Sequence, residues 1–194
     1  LVLITGEGSL TTEAEGGVVS AAGNLLMKVG GAESDLELNA AVSSTGGHIS
    51  LDAGQNIAQN ATIATQADGK SIDLLAGGDV TMADGTRTLT NAGNIRYQAT
   101  SGDLTVSSLD AGSADVSLVA QSILDGGESH IDVSANNLRL QAANGIGNDG
   151  TFTNALDTRV DILTASASSA GVFINEYDAL TLDNVGSVSV SRVL

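Results

Sequence analysis

The sequence predicts an all-β fold, a single-stranded parallel β-helix (β-solenoid) of about eight coils of 21–25 residues. Three observations predict it. A triplet reading large apolar, x, large apolar, x, small recurs about every 22 residues along nearly all of the 194 residues. Inside each repeat the apolar pattern has period 2, the strand period, and no sustained 3.6-residue period appears. Columns of like residues line up when the repeats are stacked, as expected where each repeat packs only on its neighbours.

The triplets come first. Ile49-Leu51-Ala53, Ile72-Leu74-Ala76, Ile95-Tyr97-Ala99, Val116-Leu118-Ala120 and Leu138-Leu140-Ala142 follow one another at steps of 23, 23, 21 and 22 residues. Leu25-Met27-Val29 and Leu1-Leu3-Thr5 precede them at steps of 24, and Val160-Ile162-Thr164 follows 22 residues on. After each triplet a Gly- or Asp-containing turn leads to a second short run: Leu36-x-Leu38, Val80-x-Met82, Leu104-x-Val106 or Ile131-x-Val133. Ala61-Thr62-Ile63-Ala64-Thr65 and Thr86-Arg87-Thr88-Leu89-Thr90 supply a third segment. Two or three strands per coil at the ordinary strand spacing give a rod of about 38 Å.

The flanking columns fit this register. The position before the triplet reads Asn24, His48, Ser71, Asn94, Asp115, Asn137, Arg159, and Asn suits a corner that needs a left-handed residue. The third inward position is an Ala stack through Ala53, Ala76, Ala99, Ala120 and Ala142. The outward columns set Asp73 beside Arg96, Arg139 beside Asp161 and Lys28 beside Asp52. After residue 164 the register loosens. Leu180-Thr181-Leu182 and Val188-Ser189-Val190 both read as strands.

One continuous helix segment over 1–194 is expected, with 165–194 less regular. Apolar residues make up 42%, aromatic residues 2%, and Trp is absent, so the core must be thin layers of Val, Ile, Leu and Ala. Gly is abundant (24 residues) and Pro is absent, which suits a body that is nearly all sheet and turns on Gly, Asn and Asp. The net charge of −16, with seven Lys and Arg, argues against nucleic acid or an anionic membrane as partner. The chain has no Cys, which excludes disulfides, thiolate metal sites and cysteine nucleophiles. It starts Leu1-Val2-Leu3-Ile4, with no initiator Met, no signal-peptide pattern and no 18-residue apolar run. An internal fragment of a longer chain, without direct membrane insertion, is the expectation.

The run Gly46-Gly47-His48-Ile49-Ser50-Leu51-Asp52-Ala53-Gly54-Gln55-Asn56-Ile57 resembles the repeats of filamentous-haemagglutinin-like bacterial exoproteins. So do Gly69-Lys70-Ser71-Ile72-Asp73-Leu74-Leu75-Ala76-Gly77-Gly78-Asp79-Val80 and Asn137-Leu138-Arg139-Leu140-Gln141-Ala142. The likeness covers roughly residues 1 to 165. It implies a right-handed parallel β-helix, an extracellular or cell-surface location, and the work of an adhesin or stalk. The secretion domain of that family carries Asn-Pro-Asn motifs. With no Pro in this chain, the likeness is to the repeat region.

No residue is singled out as catalytic, cofactor-binding or metal-ligating. Carboxylate pairs on a β-helix groove could process polysaccharide, but 23 acidic residues place some pairs close by chance. Calcium needs six to eight oxygens, more than Asp125-Gly126-Gly127-Glu128 or Asn148-Asp149-Gly150 provides. His48 and His130 fall in different coils. Thr86-Thr88-Thr90 and Thr151-Thr153 do not repeat in every coil as an ice-binding face would. The outward column Ile4, Lys28, Asp52, Leu75, Gln98, Val119, Gln141, Leu163 mixes polar and apolar residues and reads as partly covered by turns. The sequence therefore points to a non-enzymatic, rigid acidic scaffold without cofactors: a stalk or repeat segment of a secreted or cell-surface bacterial adhesin or filament. Its partners would be further coils of the same chain, end-to-end copies, or host or matrix glycans and proteins. The alternatives are a β-helix lyase or hydrolase and a non-catalytic carbohydrate-binding module.

Overall fold

The alternation that defines the triplets buries every second residue, and in the computed structural model those residues become the lining of a stacked coil. The structure describes residues 1–127, 130–148 and 154–194. Strands take up most of the chain, and the described residues include only one short 3-10 turn, Ala14–Gly16. The coils pair parallel, each on the next, over three faces.

The first face holds the triplets: Val2–Thr5, Leu25–Val29, Ile49–Ala53, Ile72–Ala76, Ile95–Ala99 and Asp115–Ala120, then the later halves of Val133–Ala142 and Leu156–Ser166, then Thr181–Leu182. The second face stacks Leu10–Thr12, Leu36–Leu38, Ile57–Gln59, Val80–Met82, Leu104–Val106, Ile123–Asp125, Gly145–Ile146 and Gly171–Val172. The third stacks Val19–Ala21, Val42–Ser44, Ile63–Asp68, Arg87–Asn91 and Ser108–Asp110, the earlier halves of the two long strands, and Ile174–Glu176. Ile49, Ile72 and Ile95 sit directly over one another, as do Leu51, Leu74 and Tyr97, and Ala53, Ala76 and Ala99. All nine are at most 2% exposed. Burying a Val, Leu or Ile side chain contributes roughly 1.5–3 kcal/mol, so each coil adds its own layer of stabilisation.

The corner after the Ala stack explains a second column. Gly54 and Gly77 follow Ala53 and Ala76, and a Cβ on either would lie 2.1 Å from the carbonyl oxygen of the glycine one coil below. Only glycine lets the backbones close to this distance. The Asn column works differently from expectation. Among the described residues the positive φ values belong to seven glycines and Ala92, and to no Asn. Instead the Asn24 side-chain oxygen accepts the His48 N–H at 3.0 Å, Asn94 accepts the Asp115 N–H at 3.0 Å, and the Asn137 amide donates to Asp115 at 2.7 Å. The amides staple coil to coil.

Four expectations are corrected. Leu138 pairs with Leu163 and Leu140 with Ala165, so the eighth inward column runs through Leu163 and Ala165, and Val160-Ile162-Thr164 does not form it. This coil takes 25 residues from Leu138 to Leu163. Arg139 consequently neighbours Thr164 and does not meet Asp161. Val133 pairs with Leu109 on the third face, so the second-face strand of that coil is Ile123–Asp125, ahead of Ile131-x-Val133. Finally, Thr181–Leu182 continues the first face on Ile162 and Leu163, whereas Val188-Ser189-Val190 joins no sheet. It belongs to an extended tail described below.

Candidate interaction face under the C-terminal strap

A parallel stack turns any outward column into a row of side chains one strand spacing apart. On the first face two such columns run side by side, and they contain the charge pairs expected from the sequence. Lys28 donates to Asp52 at 3.0 Å, and Arg96 grips Asp73 through two bonds of 2.9 and 3.0 Å. The two-pronged guanidinium contact is the stronger kind.

A third cation, far away in the chain, joins them. Beyond Leu182 the chain leaves the last coil and runs back along the outside of the first face. Thr164 bonds Asp183 and accepts the Val185 N–H. The Asn94 amide then donates to the Ser189 carbonyl at 2.8 Å. The Ser191 N–H donates to Ser71 Oγ at 2.9 Å, and the Val193 N–H to Ser50 Oγ at 2.8 Å. Between them Arg192 reaches Asp73 at 3.0 Å and Asp52 at 2.9 Å. Alternate residues of this strap thus engage successive coils. Under it Ser50 and Asp73 are each 1% exposed. Asp52 in the mixed outward column is accordingly covered by the strap, where turns were expected. A carboxylate as buried as Asp73 needs these partners, because an unpaired buried charge is costly.

The remaining candidates stay apart. His48 accepts the Ser71 N–H through Nδ1 at 3.0 Å, so the ring proton lies on Nε2. Burial and the Lys70 charge lower its pKa. His130 lies on the third face with Nε2 3.0 Å from Ser107 Oγ. The two histidines form no dyad. The Gly127 N–H donates to Asp125 at 2.8 Å, an ordinary turn contact. Glu128, Asp149, Gly150, Thr151 and Thr153 lie outside the described residues. Thr88 points into the core at 0% exposure, so the Thr86-Thr88-Thr90 run presents no outward row. Among the described residues no group of three or more His, Asp and Glu could hold a metal ion, and no helix is long and apolar enough to cross a membrane.

Two buried polar features escaped the sequence reading. Tyr97 points inward as expected, and there its hydroxyl donates to Gln59 at 2.7 Å and lies 2.6 Å from Thr88 Oγ1. Burial raises the Tyr97 pKa. Asp132 is 0% exposed. Its Oδ2 accepts the Asp157 N–H at 2.7 Å, while Oδ1 has no partner. Loss of water, with Asp125 and Asp157 as like charges, pushes its pKa up to about 9. Asp132 does not line the nearby groove of about 350 Å³, whose walls include Arg87, Ser108, Asp110, His130, Ser134 and Arg159. In that groove Arg87 stands 3.9 Å from Asp110, and the Arg159 guanidinium lies 4.6 Å over the Tyr177 ring.

No protein-family model matches the chain, and no curated protein or solved structure is significantly similar to it.

Proposed function

We propose that this β-solenoid is a non-catalytic scaffold: a rigid acidic stalk or repeat segment of a secreted or cell-surface bacterial adhesin or filament. The general premise, a structural repeat built of stacked coils, is the fold itself. The adhesive and extracellular setting rests on the resemblance of the 46–57, 69–80 and 137–142 runs to exoprotein repeats. The observation that carries the reading is one hydrophobic core running from Leu25 to Leu163, with recurrent positions that build the rod and outward positions that vary.

Both end surfaces suit further coils of the same chain or the opposite end of a copy. Leu1, Val2, Leu3 and Ile4 are exposed on the first coil, and Val172, Tyr177 and Leu182 near the last. Light scattering across a concentration series tests this. Leu3→Asp and Leu182→Asp should each abolish end-to-end association, and a wild-type chain that stays monomeric at millimolar concentration counts against it.

One observation favours a second reading, a non-catalytic carbohydrate-binding module. Tyr177 is 73% exposed and sits with Arg159 beside the groove, where a sugar ring could stack. A glycan array with a reducing-sugar assay separates the readings. The scaffold predicts neither binding nor release of sugar, and the module predicts binding alone. A hydrolase would release reducing ends; a lyase would also release unsaturated products.

A further inference from the structure

We propose that the distal strap, residues 189–194, is exchangeable, and that the outer row Ser50, Asp52, Ser71 and Asp73 is a receptor that also takes the distal strap of a second copy. The coils build this receptor without help from the strap. Asp73 is fixed by Arg96 and Asp52 by Lys28, and Ser50 and Asp73 are register partners within the parallel ladder. The row therefore presents two hydroxyl acceptors and two carboxylates in one fixed spacing. It fits an extended backbone whose alternate N–H groups flank a single arginine.

The strap can leave without cost to the ladder. It joins no sheet, and its described contacts with the row are two N–H to serine bonds and the Arg192 bonds. The apolar side chains Val185 and Val188, each 8% exposed, lie ahead of it in the connection.

The connection has little slack. Val185 is held at Thr164 and Ser189 at Asn94, three coils apart, or about 14 Å at the strand spacing. Asn94 also lies two positions ahead of Arg96, the residue in the Thr164 column, about 7 Å along the strand, so the diagonal is about 16 Å; the five residues from the Val185 N–H to the Ser189 carbonyl span about 18 Å at most when fully extended. A short, taut hinge favours exchange, because the same contacts form in a second copy with the hinge relaxed. Reciprocal exchange closes a two-fold dimer. The inference does not depend on the end surfaces: Leu3→Asp would block end-to-end stacking and leave strap exchange intact.

The absence of cysteine gives a direct test in the full chain. Val193 N lies 2.8 Å from Ser50 Oγ, so a Ser50→Cys chain and a Val193→Cys chain are mixed and oxidised. A disulfide-linked heterodimer in clear excess over either homodimer is expected. Adding Arg192→Glu to the Val193→Cys chain should reduce it at least tenfold, and so should four Gly/Ser residues inserted after Gly186. If a chain carrying both Ser50→Cys and Val193→Cys closes only on itself and the mixture of singly substituted chains gives no heterodimer at millimolar concentration, the strap stays on its own rod and the proposal fails. A heterodimer insensitive to both changes would equally overturn it. Unchanged far-UV circular dichroism shows that each variant is folded.

Discussion

Replacing Asp132 with Asn should stabilise the rod at neutral pH and have little effect in acid. The fold raises this carboxyl from its ordinary value of 3.8 to about 9. The folded chain therefore keeps a proton that the unfolded chain releases above pH 4. Wherever the folded state binds more protons, stability falls as pH rises. For Asp132 the loss begins near the unfolded value, grows by about 1.4 kcal/mol per pH unit, and levels off above pH 9. At pH 7 the penalty approaches about 4 kcal/mol. An Asn at this position keeps an oxygen for the Asp157 N–H, now received by Asp132 Oδ2, and turns an N–H₂ donor toward the Asp125 side. It carries no charge to desolvate. Urea unfolding of both chains between pH 4 and 8 measures the effect. The gain from Asp132→Asn should be about 1–4 kcal/mol at pH 7 and should shrink toward zero near pH 4. A destabilised variant, or a gain that does not change with pH, would show that the fold does not hold Asp132 protonated at neutral pH.

Two further predictions follow from the packing of the coils. Gly77→Ala should cost about 1–3 kcal/mol, because the new Cβ would meet the Gly54 backbone at 2.1 Å, whereas Gly23→Ala, with nothing within 4 Å, should stay within about 0.5 kcal/mol; thermal unfolding of the two variants side by side checks the contrast. Tyr97→Phe removes the hydroxyl that serves Gln59 and lies against Thr88, and should cost about 1–3 kcal/mol by urea unfolding, with a Gln59→Leu, Thr88→Val, Tyr97→Phe triple variant recovering part of it.

The architecture was readable because its signal repeats. Ile49, Ile72 and Ile95 recur in one inward column, and the register they set places Asp73 beside Arg96 and Lys28 beside Asp52 in the two outward columns. At the eighth coil the periodicity offers two answers. Ile162 and Leu163 are adjacent and both apolar, and the strand Leu156–Ser166 spans two faces, so alternation alone left the frame open. Choosing Leu163 needs its partner Leu138 on the neighbouring coil. The strap was hidden for a related reason. Ser189-Val190-Ser191 has the strand period, and period 2 does not distinguish a coil from an extended tail lying across coils. What selects the tail is Arg192 meeting Asp52 and Asp73, 140 and 119 residues away. The buried polar groups were equally non-local. Gln59 reads as the polar end of a strand until Thr88 and Tyr97, 29 and 38 residues on, supply its partners.

The stacked register is most directly tested by distances along one face. Thr11, Glu37, Ala58, Thr81, Thr105 and Leu124 form a single outward column on the second face. Spin labels at cysteines replacing Thr11 and Thr105, and in a second chain Thr11 and Leu124, are separated by four and five coils. Pulsed electron resonance should give backbone separations of about 19 and about 24 Å, one strand spacing apart. Equal distances in the two pairs, or a shorter one for Thr11 and Leu124, would contradict the coil stack from which every other conclusion is drawn.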